Sequence, residues 1–246
     1  MRDNQYFYAP PSDILKSEGF IFLSGAEAYH CAHVLRKRPG DEFYVVDGVG
    51  LEFVVALDGV SDPRLRCRIL ETRRRPNELT VDLTLAQALL KKDHFNLAVE
   101  KAVELGVNRI IPVRTRRCIP QADDRKVERW RKVGLEAMKQ SRRCVAPVVD
   151  AVTDLEDVVR GAGQDGRVLC HEDSMAPWAA LHERAAGWSS VIILIGPEGG
   201  FTEEETRMVV EAGWASLSLG RRRLKAETAA FCSLSLFSNL HSPPLP

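Results

Sequence analysis

The sequence predicts an α/β fold in two parts, a small β-barrel followed by a larger domain built on a parallel sheet. Three observations carry that prediction. The first seventy or so residues hold short β-branched and aromatic runs, as in GDEFYVVDGVGLEFVVALDGV, where Asp-Gly and Val-Gly turn signals break the apolar stretches at close spacing. The basic, proline-containing stretch RRRPNEL then interrupts the pattern and reads as a linker. After it, strand-like and helix-like segments alternate, which is how a parallel sheet covered on both faces is written in sequence. The expected division is residues 1–73 for the barrel and 74–246 for the α/β domain.

The elements follow in order. In DPRLRCRILET, Leu65, Cys67 and Ile69 alternate with Arg64, Arg66 and Arg68, the period of a half-exposed strand. LTVDLTLAQAL is the first strand of the second domain. DHFNLAVEKAVELG sets Phe95, Ala98, Val99, Ala102 and Leu105 on one helical face and stops at Gly106, where a C-terminal cap belongs. NRIIPVRT is the next strand, and RKVERWRKVGLEAMKQSRR a basic amphipathic helix with Trp130, Val133 and Ala137 along one side. Further strands are expected at RVLCHE, SSVIILIG and ASLSLG, and further helices at TEEETRMVVEAG and LKAETAAFCSLSLFSNL. Thr202 followed by Glu205 is a capping-box pattern, which starts a helix at about residue 203. Tyr6, Phe7 and Tyr8 are read as core of the barrel.

Composition narrows the function classes. With 246 residues, 45% hydrophobic and 28% charged, the chain has room for a sizeable core. Its formal net charge of +0 makes any claim of nucleic-acid binding depend on local clusters. No apolar run is long enough to cross a bilayer and MRDNQYFYAPPSD has no signal-peptide core, so the expectation is a cytoplasmic protein without a membrane partner. Cys31, Cys67, Cys118, Cys144, Cys170 and Cys232 lie far apart, with no C-x-x-C pair, and read as reduced and mostly buried; no structural metal is expected.

Several motifs fail on context. Gly161, Gly163 and Gly166 match G-x-G-x-x-G, but the dinucleotide fingerprint needs a strand before it and a helix after it, and here the order is reversed. Neither Gly199 nor Gly200 is followed by the Lys-Ser/Thr of a phosphate-binding loop. Cys170 and His171 are adjacent on a strand, point to opposite faces and cannot pair as nucleophile and base. HEDSM and HERAA lack the second histidine of a zinc helix. His94 and His182, in helical patterns, are assigned surface or capping roles.

IILIGPEGGFTEEE is different, because its glycines follow a buried strand and precede a helix. That is the carboxyl end of a strand, where open α/β sheets bind ligands, and glycines there admit a ligand close to the backbone. Glu198 at the centre disfavours phosphate and favours donors or positive charge: an amino group, ribose hydroxyls, a sulfonium. A side chain at Gly199 is expected to enter the ligand's space. LSLGRRRLKAETAAF repeats the design, a strand ending at Gly220, three arginines, then a helix with Glu227 and Thr228 in its first turn. If the two strands are neighbours, both loops open on the same edge.

LIGPEGGFTEEE and LGRRRLKAETAA together resemble the SPOUT superfamily of S-adenosylmethionine-dependent RNA methyltransferases, and within it the branch that methylates N3 of a uridine in 16S ribosomal RNA. HCAHVLRKRPGD, LKKDHFNLAVEKAVELGVNRIIPVRTRRC and ERWRKVGLEAMKQSRRCVAP agree with that branch in the same order. The resemblance implies a PUA-like barrel, a C-terminal trefoil knot, a homodimer, and a substrate that is 16S ribosomal RNA or the assembled small subunit. It implies a cofactor pocket built from His171 and Glu172, from Leu194 and Ile195 with the loop Gly196, Pro197, Glu198, Gly199 and Gly200, and from Leu219, Gly220, Arg221 and Leu224. One departure concerns the segment before Ala226: the family usually reads Ile-Leu-Arg, and this chain has Arg223, Leu224 and Lys225, which keeps a positive charge and loses the bidentate fork of arginine.

The chemistry follows from uracil. N3 carries a proton and is a poor nucleophile until it leaves, so the site must position the base and stabilise negative charge on the ring. Lys225 or Arg222 is expected to stabilise the anion, and Glu198 or Glu227 to accept the proton, unless Glu227 only caps the last helix. RNA contacts are expected from Arg36, Lys37 and Arg38, from Arg114, Arg116 and Arg117, and from Lys139, Arg142 and Arg143. The competing readings are an RNA-binding ribosome-assembly factor whose methyltransferase domain is inactive, and a nucleotide-dependent oxidoreductase using the 161–166 glycines.

Overall fold

The structure, a computed structural model, describes residues 4–61, 64–119 and 122–244; Asp62 and Pro63, at the head of the alternating segment, lie outside the described residues. The chain forms two compact units, Met1–Glu78 with Met138–Ala146, and Leu79–Ala137 with Pro147–Pro246.

In the first unit, β1 (Tyr6–Tyr8), β2 (Ile14–Leu15), β3 (Phe20–Leu23), β4 (Glu42–Val46), β5 (Leu51–Ser61) and β6 (Arg64–Arg74) form one sheet in the order β1-β4-β5-β6-β3-β2. Leu65 and Cys67 of β6 are buried and Arg64, Arg66 and Arg68 exposed, as the alternation predicts. Register shifts in the β5–β6 pairing at Val54/Val55 and Leu57/Gly59 bend the long ribbon. One face of the sheet thereby encloses a core that includes Phe7, Ile21, Phe43, Phe53 and Cys67. Helix α1 (Gly25–Tyr29) runs into a π-helical turn at His30–Val34, adding Ala28 and Cys31 to that core. Phe7 is core as expected, whereas Tyr6 is half-buried, stacked on Tyr44 at 4.8 Å and donating to Glu52 at 2.7 Å.

The boundary differs from the expected 73/74. Strand β6 runs through Arg74, the unit continues to Glu78, and a downstream segment, Met138–Ala146, belongs to it. An ion pair explains the return. Arg143, its side chain 3% exposed, donates to Glu78 Oε2 at 2.7 Å, while Glu78 Oε1 accepts the N–H groups of Cys144 at 2.9 Å and Val145 at 3.0 Å. Such a pair holds its segment in place because either charge left alone in the interior costs about 3–5 kcal/mol.

The second unit is a wholly parallel sheet of β7 (Asp82–Ala88), β8 (Arg109–Arg114), β9 (Val148–Val149), β10 (Thr153–Asp154), β11 (Gly166–Cys170), β12 (Ser190–Ile195) and β13 (Ala215–Leu217). The order is β10-β8-β7-β12-β11-β13, with β9 beside β8. Leu83 to Ala88 and Val191 to Ile195 are buried without interruption, which is the pattern of strands covered on both faces. Helices α2 (His94–Glu104), α3 (Asp124–Gln140), α4 (Leu155–Gly161), α5 (Trp178–Ala185), α6 (Glu203–Glu211) and α7 (Ala226–Leu240) connect the strands. Leu155 and Val158 of α4 and Val209 of α6 pack with Leu169, Ile192 and Leu194 on one face. Cys170 points to the other, where it meets Ser233 of α7. Local signals set the helix ends. Gly106, at φ +93°, donates to Val103 and Val107 donates to Ala102, closing α2 in a Schellman motif. Thr202 and Glu205 form a complete capping box, so α6 starts at Glu203 as expected.

Candidate functional site at the carboxyl edge of the parallel sheet

All strands of this sheet run the same way, so the chain leaves β7, β11, β12 and β13 on one edge. The segments that follow these four strands enclose a cavity of about 570 Å³, within the range of small-molecule sites. The two strands β12 and β13 are not neighbours, because β11 lies between them. Their loops still meet, because direction rather than adjacency decides on which edge a loop emerges.

The β12 loop forms one wall of the cavity. Pro197 is buried, Gly196 packs against Phe201, and Gln87 at the end of β7 donates to the Gly196 carbonyl at 3.5 Å. Gly200 lines the cavity at φ +68°, where among the described residues an added Cβ would have one neighbour within 4 Å, Glu172 Oε1 at 3.7 Å. Glu198 also lines it, with Oε1 accepting the backbone N–H of Lys91 at 2.9 Å. Its carboxylate therefore ties the β12 loop to the β7 loop. Arg117 donates to the carbonyls of Gly199 at 3.0 Å and Phe201 at 3.1 Å, and clamps the loop from outside.

His171, after β11, is fixed at both ring nitrogens: Nδ1 accepts from Asp173 N at 3.2 Å, so Nε2 carries the hydrogen and donates to Thr206 Oγ1 at 3.3 Å. Glu172 faces Arg223 across the rim at 3.4 Å. Cys170 lines the cavity, but burial pushes its thiol up to about 12, which removes thiolate chemistry. From the β13 loop come Leu219, Gly220, Arg222, Leu224 and Lys225. Lys225 is the N-cap of α7 without a side-chain capping bond, and Glu227 sits in the first turn behind it.

Most of the expected pocket residues are thus brought together. Three are not. Leu194 is fully buried in the core beneath the loop, Arg221 is exposed away from the cavity lining, and an added Cβ on Gly199 would meet Arg117 Cβ at 3.4 Å rather than enter the cavity. The glycines that line the cavity with open space at their Cβ positions are Gly200 and Gly220. Glu227 does not merely cap α7: it is buried and accepts from His94 Nδ1 at 3.0 Å. His94, assigned to the surface by its helical pattern, lines the cavity with Lys91 and Lys92. Only Lys91-Lys92 just after the strand hinted at this wall in the sequence.

The basic clusters separate as sharply. Arg143 is corrected from an RNA contact to a buried partner of Glu78. Lys139, its side chain 10% exposed, is paired with Glu27 at 2.6 Å. Arg114 pairs with Asp154 at 2.6 Å and Arg116 with Glu204. Arg36, Arg38 and Arg142 are exposed, and Lys37 is half-buried. Gly161, Gly163 and Gly166 lie at the opposite edge of the sheet from the cavity, at the start of β11, so the oxidoreductase reading has no ligand site there. Among the described residues no group of acidic, histidine and cysteine side chains is placed to hold a metal, and no helix is long and apolar enough to cross a membrane.

A parallel α/β domain with a ligand-sized cavity at its carboxyl edge, in one chain with a small curled sheet, is the build of an enzyme carrying an accessory β module. A family model described as an RNA methyltransferase domain matches residues 77–238, one described as an RNA methyltransferase PUA domain matches residues 23–70, and the chain belongs to this RNA methyltransferase family. The ribosomal RNA small subunit methyltransferase E of Bacillus subtilis is 30% identical over 244 residues, covering 95% of each chain. That of Mycobacterium tuberculosis is 31% identical over 243 residues, covering 94% of this chain and 90% of the relative. Among solved structures, a ribosomal RNA small subunit methyltransferase E from Neisseria gonorrhoeae bound to S-adenosylmethionine superposes with a TM-score of 0.88 at 26% identity, covering 98% of this chain and 99% of that one. A methyltransferase from Legionella pneumophila with bound SAM gives 0.86 at 28% identity, covering 98% and 100%.

Proposed function

We propose that this protein methylates N3 of a uracil in 16S ribosomal RNA, free or in the assembled small subunit, using S-adenosylmethionine. The observation that carries this is the cavity: a glycine-lined, carboxylate-bearing pocket on the carboxyl edge of the sheet, with Gly200 leaving open the space a side chain would fill. The residues present fit the cofactor. Ile195, Leu219 and Leu224 offer apolar surface for adenine, Gly196, Gly200 and Gly220 let a ligand come close to the backbone, and Glu172 and Glu198 offer negative charge to a positively charged ligand. When bound, the cofactor supplies a methyl group already activated on sulfur.

The chain's own residues do the rest. Lys225 and Arg222, both on the cavity wall, stabilise the negative charge that uracil acquires when N3 loses its proton. Glu198 holds the β12 and β7 loops together, which fixes the cavity for in-line approach. A paired uracil hides N3, so the base must be single-stranded or extruded first. Arg36, Arg38 and Arg142 are exposed candidates for phosphate contacts, and Arg114, Arg116 and Arg117 are exposed as well, though engaged with Asp154, Glu204 and the β12-loop carbonyls. Further parts of the proposal are a homodimer, a cytoplasmic place of action where ribosomal RNA is found, and a trefoil knot threading the loops that line the cavity.

Mass spectrometry of small-subunit ribosomal RNA from cells with and without the gene tests this. Loss of one N3-methyluridine, restored when purified protein and S-adenosylmethionine are added to the deficient subunits, is the expected result. An unchanged modification pattern overturns it.

A further inference from the structure

The Glu227–His94 pair joins the first turn of α7 to that of α2, and its chemistry is distinct from that of Glu172 and Glu198 on the same cavity. Glu227 is the most enclosed acid there, its side chain 9% exposed, against 54% for Glu172. Its Oε1 lies 3.0 Å from Nδ1 of His94, a residue 133 positions away on the first turn of α2. A carboxylate only accepts, so the hydrogen of a neutral imidazole sits on Nδ1 and the lone pair on Nε2. Nε2 has no hydrogen-bond partner among the described residues, the ring is 41% exposed, and His94 lines the cavity.

We infer that His94 Nε2 is the base that takes the proton from uracil N3, with Glu227 orienting the ring and compensating the charge it acquires. This rests on the methyltransferase function proposed above. The N3–H bond breaks, the proton moves to Nε2, and the electron pair left on N3 forms the bond to the incoming methyl carbon. The carbon–sulfur pair returns to sulfur, which leaves as a neutral thioether. The arrangement is the general one in which a buried carboxylate selects the tautomer of a histidine base. Glu198 is less suited, because one of its oxygens is committed to the backbone of Lys91. Lys91, Lys92 and Lys225 share the cavity and add positive charge, which favours the uracil anion as the proton leaves.

The test is single-turnover methyl transfer to small subunits lacking the modification, with wild type, His94→Ala and Glu227→Gln, alongside calorimetric binding of S-adenosylmethionine. His94→Ala is expected to lower the rate by about 10²–10⁴-fold, the usual worth of a general base, with cofactor affinity within a few-fold of wild type. Added imidazole should restore at least tenfold of the lost rate, which a merely structural defect does not permit. Glu227→Gln should lower the rate less and respond little to imidazole. A His94→Ala rate within twofold of wild type, a parallel loss of cofactor affinity, or a lost rate that imidazole leaves untouched overturns the assignment while the methyltransferase function stands. A wild-type product other than N3-methyluridine overturns that function itself, whatever the variants do.

Discussion

The two edges of the parallel sheet carry glycine runs that look alike in sequence and do opposite things. At the amino edge, Gly166 opens β11 with its Cα against the face of Trp188; an added Cβ would come within 2.2 Å of that ring. At the carboxyl edge, Gly200 follows β12 and its missing side chain leaves room in the cavity. One glycine is there so that protein can come close, and the other leaves space on the cavity wall. The difference is one of strand direction: side chains close the end where strands begin, while loops remain open where they finish. A glycine motif therefore carries functional meaning only when the order of elements around it is known.

The largest expected effect breaks the closed edge. Gly166→Ala forces Trp188 off β11 and off its stack with Phe237, whose ring centroid lies 6.3 Å away. Overpacking of this kind costs about 3 kcal/mol. Gly163→Ala, in the same run but with nothing within 4 Å of its added Cβ, should leave stability unchanged. Urea midpoints for the two variants test the contrast, and equal losses would mean that the loop rather than the Trp188 contact sets the requirement. At the open edge, Gly200→Val should reduce affinity for S-adenosylmethionine at least about tenfold, roughly 1.4 kcal/mol, by calorimetry. The backbone there is at φ +68°, so a modest stability loss of about 1–2 kcal/mol accompanies it. Gly199→Val, whose side chain would press on Arg117, should move affinity much less. The reverse ranking would put the ligand on the outer side of the loop.

How legible these differences were in the sequence depends on the range of the interaction. The Thr202–Glu205 capping box and the Gly106 cap are made within a few residues, so their pattern is their structure. The carboxyl-edge position of Gly196 to Gly200 was readable too, because strand and helix flank them in the order that defines that edge. Arg142 and Arg143 were not separable. Consecutive and identical, they differ because Glu78, 65 positions upstream, captures one and leaves the other in solvent. His94 was misread for the same reason: its partner lies 133 positions downstream, and helical periodicity says only that it begins a turn. The division between units was displaced because composition marks a linker and cannot mark a segment that returns.

The smallest effect separates the edges by pH. Asp165, beside Gly166, accepts from Ser189 Oγ at 2.6 Å, Ser189 N at 3.0 Å and Ser190 N at 3.2 Å, tying the entrance of β11 to that of β12. The Ser189 hydroxyl first, then the backbone N–H groups, hold its carboxyl below the usual carboxylate range. The unfolded chain consequently binds this proton at a higher pH than the folded one. The stabilisation is present in full above the ordinary carboxylate value of about 4 and is lost as pH falls through the depressed folded value. Asp165→Asn should lower the urea midpoint at pH 7, with the gap to wild type narrowing at about pH 3, while cofactor affinity at pH 7 stays unchanged. A gap that is the same at both pH values would show that Asp165 holds the strand entrances by shape rather than by charge. A change in cofactor affinity would show instead that the two edges are coupled through β11, the strand that begins beside Asp165 and ends at the cavity.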